Sequence, residues 1–81
     1  MKNSFHKALR ETPGVLAHEK MRTFKNGGDG YVIVHIKVDP DITVKEAHHI
    51  ATAAERNMQH AVKGLNIHAS THVEPYQPRK K

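Results

Sequence analysis

Apolar residues recur along the chain with two periods, and the switches between them mark the elements. Phe5, Ala8 and Leu9 lie on one face of a short helix predicted over Ser4 to Thr12, with Ser4 as its N-cap and Pro13-Gly14 ending it. From Val15 to Phe24 β-compatible residues alternate imperfectly. Lys25-Asn26-Gly27-Gly28-Asp29-Gly30 is then a turn signal, because glycine and asparagine tolerate positive φ. Tyr31 to Val38 reads as a strand with Val32, Val34, Ile36 and Val38 on one side, so the two segments form a β-hairpin. Asp39-Pro40-Asp41 breaks that strand. Thr43-Val44-Lys45-Glu46 is a capping box, with Ile42 placed as a hydrophobic staple against Ala47. Behind it Val44, Ala47, Ala51, Ala54, Met58, Ala61 and Leu65 recur at helical spacing, and Gly64 sits where such a helix would end. Ile67, Ala69, Thr71 and Val73 alternate with His68, Ser70, His72 and Glu74 in a last strand, which Pro75 and Pro78 stop.

The order helix, strand, strand, helix, strand predicts an α+β domain, a small sheet with both helices on its apolar face. Opposite residues of an antiparallel hairpin share a face, so the valine-rich side of the second strand should match Val15, Ala17 and Met21. Glu19 falls on that side too and fits it poorly. A chain of 81 residues holds one core, and a domain this short gains from a metal or a partner subunit. Hydrophobic residues at 37% and charged residues at 26% exclude a disordered tail. The longest apolar run, Tyr31 to Val34, is far below the ~20 residues of a membrane-spanning helix. No export signal is visible at Met1-Lys2-Asn3-Ser4, which points to the cytoplasm. The absence of cysteine excludes disulfides and thiolate metal sites.

The formal charge of +5 would suit nucleic acid, but Arg79, Lys80 and Lys81 supply part of it. Phe5, Phe24, Tyr31 and Tyr76 are scattered in sequence and suggest no base-stacking platform, so a nucleic-acid partner is not expected. Nor is an enzyme expected: no nucleophile–base pair is visible, and Gly27-Gly28-Asp29-Gly30 lies between strands rather than ahead of a helix. The eight histidines change the picture more. His35 lies opposite the apolar set, and the register proposed above puts His18 beside it. His72 and Glu74, two apart on a strand, share a face. Three imidazoles and a carboxylate on the open face of the sheet make a candidate site for zinc or a similar divalent ion. His48, near the start of the second helix, belongs to another layer: a surface residue, a separate ligand, or a ligand offered to a partner subunit. His6, His49, His60 and His68 are read as solvated or structural.

Pro13-Gly14-Val15 followed by His18-Glu19-Lys20-Met21-Arg22-Thr23 and a glycine turn resembles the start of the cytoplasmic C-terminal domain of cation diffusion facilitators. Val34-His35-Ile36-Lys37-Val38-Asp39, Glu46-Ala47-His48 and His72-Val73-Glu74-Pro75 continue the resemblance. It implies a ferredoxin-like αββαβ fold over residues 1–75, a basic tail over 76–81, and a V-shaped homodimer. In zinc-transporting members a metal site at the dimer interface uses positions matching His18, His35, His48, His72 and Glu74; an aspartate also occurs at the last of these. The implied function is a regulatory or sensing dimerisation domain that binds a divalent cation, zinc first, and regulates a membrane cation transporter without transporting. A freestanding metal buffer or metallochaperone, and a metal-independent dimerisation or docking module, are the alternatives. The chain is read as freestanding rather than excised, with no membrane insertion of its own.

Overall fold

Helix α1 spans Lys2–Arg10, strand β1 Ala17–Asn26, strand β2 Asp29–Val38, helix α2 Val44–Gln59 and strand β3 Asn66–Pro75. These elements come from a computed structural model that describes residues 1–78. Of the basic tail expected over 76–81, Tyr76 to Pro78 follow β3 without regular structure; Arg79, Lys80 and Lys81 lie outside the described residues. The sheet runs in the order β1-β2-β3. β1 and β2 are antiparallel, whereas β2 and β3 are parallel and joined by α2 as the crossover. This is the expected α+β arrangement, with the valine-rich face of the central strand under both helices.

α1 starts before Ser4: Met1 is its N-cap, without a side-chain hydrogen bond. Phe5, Ala8 and Leu9 are its buried residues, and Lys7 and Arg10 in its last turn complement the helix dipole. Past its end Thr12 is buried; its Oγ1 donates to the Ala8 carbonyl at 2.8 Å and accepts from Asn57 Nδ2 of α2 at 2.8 Å. Gly14 then turns the chain with φ +94°, its α-carbon so close to Ile50 that a β-carbon would lie 2.6 Å from Ile50 Cδ1. The hairpin closes through Gly27-Gly28, with Asn26 opposite Asp29 and Gly27 at φ +62°.

The capping box of α2 forms as expected. Thr43 Oγ1 accepts from the Glu46 amide, and Glu46 Oε1 accepts from the Thr43 amide, both at 3.0 Å. The helix nevertheless stops at Gln59, so Ala61, Val62 and Leu65 reach the core from turns. Val44 is 87% exposed, and Ile50 rather than Val44 joins Ala47, Ala51, Ala54 and Met58 on the inward side. Phe5, Leu9, Val32, Val34, Ile36 and Met58 are the largest fully buried side chains.

β1 departs from the expected register. Glu19 pairs with His35 and Arg22 with Ile33, so Lys20 and Met21 together stand against Val34 in a β-bulge. Lys20 takes φ +57°, the one positive value at a non-glycine position among the described residues. The extra residue reverses which side chains face the helices. Ala17 pairs with Lys37 on the open face, Glu19 joins it there, and His18 pairs with Ile36 on the helix side. The expected pairing of His18 with His35 on the open face is thereby corrected. The misfit of Glu19 disappears with it, while Met21 still packs against the core.

Candidate metal-binding face

The open face receives its chemistry from the alternation of β2 and β3. Because Val34, Ile36 and Val38 point to the helices, His35 and Lys37 point away. The parallel register sets His72 beside His35 and Glu74 beside Lys37. The rings of His35 and His72 stack at 4.7 Å between centroids, 17° from parallel. Glu74 bridges the strands: its Oε2 lies 2.6 Å from His35 Nδ1, and its Oε1 accepts from Lys37 Nζ at 2.6 Å. Lys37 Nζ also lies 3.4 Å from Glu19 Oε2 on β1. The Lys37 ammonium, and after it His35, holds the Glu74 carboxyl down at about 2. The same contact raises Lys37. An ionised carboxylate only accepts, so Nδ1 of His35 is the donor in this contact, and in a neutral ring Nε2 is the nitrogen with a lone pair to offer.

The other two expected ligands lie elsewhere. His18 Nε2 lies 2.8 Å from His6 Nδ1 of α1, with the rings 5.0 Å apart and 31° from parallel. Burial, then the charges of His6 and Arg10, lower the His18 pKa. His48 is exposed on α2 beside a shallow depression lined by His49, Thr52, Ala53 and Arg56. The structure thus brings together His35, His72 and Glu74, with His18 on the opposite side of the sheet and His48 in the helix layer. Among the described residues of one chain no three His, Cys, Asp or Glu side chains converge on a point that could hold a metal.

Several partners escaped the sequence reading. His6 is held against His18 rather than solvated. His68 lies 3.1 Å from Asp29 Oδ1 and stacks on Tyr31 at 4.7 Å, and Tyr31 in turn stacks on Phe24 at 4.5 Å. Asp29 titrates lower than usual because His68 and then Asn66 hydrogen-bond to it. These three rings form a row across all three strands, so Phe24 and Tyr31 are not scattered. The two-residue turn already places Phe24 opposite Tyr31 by counting; the parallel partner His68 needed the fold. The rings cover one another's faces, which makes the row a poor base-stacking platform.

A β1-β2-β3 mixed sheet with both helices on one face and a histidine–carboxylate cluster on the other defines a ferredoxin-like αββαβ domain. The chain belongs to the family described as the cytoplasmic domain of cation efflux proteins, which it matches over residues 2–76. Among solved structures, it is similar to a nickel form of a variant MamM C-terminal domain. The identity is 26%, covering 94% of this chain and 95% of that one, with a TM-score of 0.82. The metal-bound C-terminal domain of the CzcD transporter from Thermotoga maritima shares the fold at 24% identity, 91% and 85% coverage and a TM-score of 0.81. A zinc form of another MamM C-terminal domain variant does so at 24% identity, 94% and 82% coverage and a TM-score of 0.83. No curated protein matches the chain by sequence. No helix among the described residues is long and apolar enough to cross a membrane.

Proposed function

We propose that this chain is a non-transporting regulatory domain of the cytoplasm that binds a divalent cation, zinc first, and pairs with a second copy of itself. The observation that carries this reading is the grouping of His35, His72 and Glu74 on one open face. Imidazole nitrogen and carboxylate oxygen are the donors zinc accepts in a cysteine-free site. One chain does not close a coordination shell, and that favours a shared site. His48, exposed on α2, is placed to be offered to a partner, whereas His18 faces the helix side against His6 and lies outside this grouping. The zinc, nickel and other metal-bound forms in which similar domains have been solved support the same class of ligand. Ordering of the dimer by metal would be the signal passed to a membrane cation transporter. Residues 1–75 are the working domain. Imidazoles bind the cation in their neutral form, so affinity should fall as pH drops through ~6.5.

The test is calorimetric titration of chelator-treated protein with zinc at neutral pH, with light scattering on the same samples. Saturable binding accompanied by a tighter dimer supports the proposal. The variant His35→Ala should lose most of the zinc-induced rise in melting temperature. An unchanged response in that variant sinks the open-face site. A metal-independent dimerisation domain is the second reading, favoured by the way Lys37 and His35 already satisfy Glu74. A dimer whose stability ignores zinc would establish it.

A further inference from the structure

Both oxygens of the carboxylate most suited to a cation are already engaged. Lys37 Nζ lies 2.6 Å from Glu74 Oε1, and His35 Nδ1 lies 2.6 Å from Oε2. Of these two neighbours His35 can itself become a ligand, whereas Lys37 cannot: an ammonium has donors only. A cation arriving at Glu74 therefore meets a fixed positive charge at the atom it must bind. The structure also contains the place to which that charge can move. Glu19 Oε2 lies 3.4 Å from the same Nζ, on the far flank of β2. Glu19 reaches this position only because the bulge at Lys20-Met21 turns it onto the open face.

We propose that Lys37 is a built-in competitor of the metal: its ammonium group occupies Glu74 until a divalent cation displaces it onto Glu19, and this exchange sets the cation concentration at which the domain responds. The inference rests on reading the open face as the metal site. It deepens that reading by naming what tunes it. No bond is made or broken in the protein; one charged contact replaces another. Lys37 is only 24% exposed and Glu74 32%, so water screens the pair less than a fully solvated one.

The experiment is zinc titration by calorimetry of the full chain, chelator-treated, as parent and as Lys37→Gln, Lys37→Arg, Glu19→Gln and the Lys37→Gln/Glu19→Gln double variant. Lys37→Gln should bind zinc about three- to thirtyfold more tightly, the range for losing a charge-assisted contact at a partly exposed site. Lys37→Arg should return the dissociation constant toward the parent value. Glu19→Gln should weaken binding, because Lys37 then has nowhere to go, and the loss should shrink in the double variant. Arg22→Gln serves as control, since it removes a nearby charge that has no contact with Glu74. Parent-like binding in Lys37→Gln, or a gain no larger than in Arg22→Gln, overturns the competitor role while leaving the metal site standing. Failure of every variant, Lys37→Gln included, to bind zinc overturns the metal site and the competitor role together.

Discussion

Thr12 is the one buried polar residue among the described residues, and replacing it by valine tests how α1 is held to the rest of the domain. The substitution keeps shape and removes only the hydroxyl. Two hydrogen bonds of 2.8 Å go with it, one to the Ala8 carbonyl and one from Asn57 Nδ2. Each such bond contributes about 0.5–1.5 kcal/mol net, so Thr12→Val should cost about 1–3 kcal/mol. A domain of 81 residues has in all only about 4–12 kcal/mol of stability. At this size each kilocalorie is worth about 4–8 °C, which places the fall in melting temperature at about 4–24 °C. The assay is urea unfolding of the chelator-treated protein at neutral pH, followed by far-ultraviolet circular dichroism. Asn57→Ala and the double variant complete a cycle. The interaction between the two sites should be about 1 kcal/mol, because one bond is shared. A Thr12→Val variant within about 0.5 kcal/mol of the parent, or a cycle with no interaction, would show that the hydroxyl does not clamp α1 to α2. The result bears on the candidate ligands as well, since α1 carries the His6 that fixes His18.

Glu74 should make the unliganded protein pH-sensitive in a defined direction. Its carboxyl is depressed from the ordinary 4.5 to about 2, so it stabilises the fold above pH 4.5 and the contribution is lost as pH falls toward 2. Glu74→Gln should be the less stable protein at neutral pH and converge with the parent near pH 2; a constant gap in urea melts across that range would refute the pairing. Glu55 of α2 accepts from the Thr71 amide at 3.2 Å and the Thr71 hydroxyl at 2.7 Å. Glu55→Ala should cost about 1–2 kcal/mol and speed hydrogen exchange at the Thr71 amide, with Glu55→Gln closer to the parent.

The elements of this fold were legible because each is announced locally. The Thr43–Glu46 capping box, the Gly27-Gly28 turn and the alternation of Val32, Val34, Ile36 and Val38 all form as read. Ends and faces were less legible. The stripe through Ala61 and Leu65 continues at helical spacing, yet the chain leaves the helix at Gln59 and still buries those residues from turns. Ser4 carries a capping side chain but lies inside α1, because the chain ahead of it adds a further turn in which the Phe5 amide donates to the Met1 carbonyl. For the site, His35, His72 and Glu74 followed from alternation along unbroken strands. His18 did not, because parity survives only as long as no residue is inserted. Nothing in Glu19-Lys20-Met21-Arg22 advertises a bulge: lysine, not glycine, takes the positive φ. The contacts of Lys37 were equally hidden, since its partners Glu74 and Glu19 come from the two neighbouring strands.

The two faces of the sheet have separate physical duties, and that bears on what a metal can do here. Everything that closes the core lies on the helix side: Phe5 and Leu9 from α1, Val32, Val34 and Ile36 from β2, Met58 from α2. No buried side-chain nitrogen or oxygen among the described residues lacks a partner, so the core is not waiting for an ion to satisfy it. On the open face, His35, Lys37, Glu19 and Glu74 already contact one another. A metal added there exchanges contacts rather than completing a fold, unlike a structural zinc site whose ligands hold an otherwise unfolded chain together. Removing divalent cations with a chelator should therefore leave the far-ultraviolet circular dichroism unchanged at 25 °C. It should lower the stability only by mass action, by about 2.7 kcal/mol where zinc had stood at a hundredfold excess over its dissociation constant. Loss of the helical signal on chelation would refute this separation, and would mean that the open face holds the helices in place.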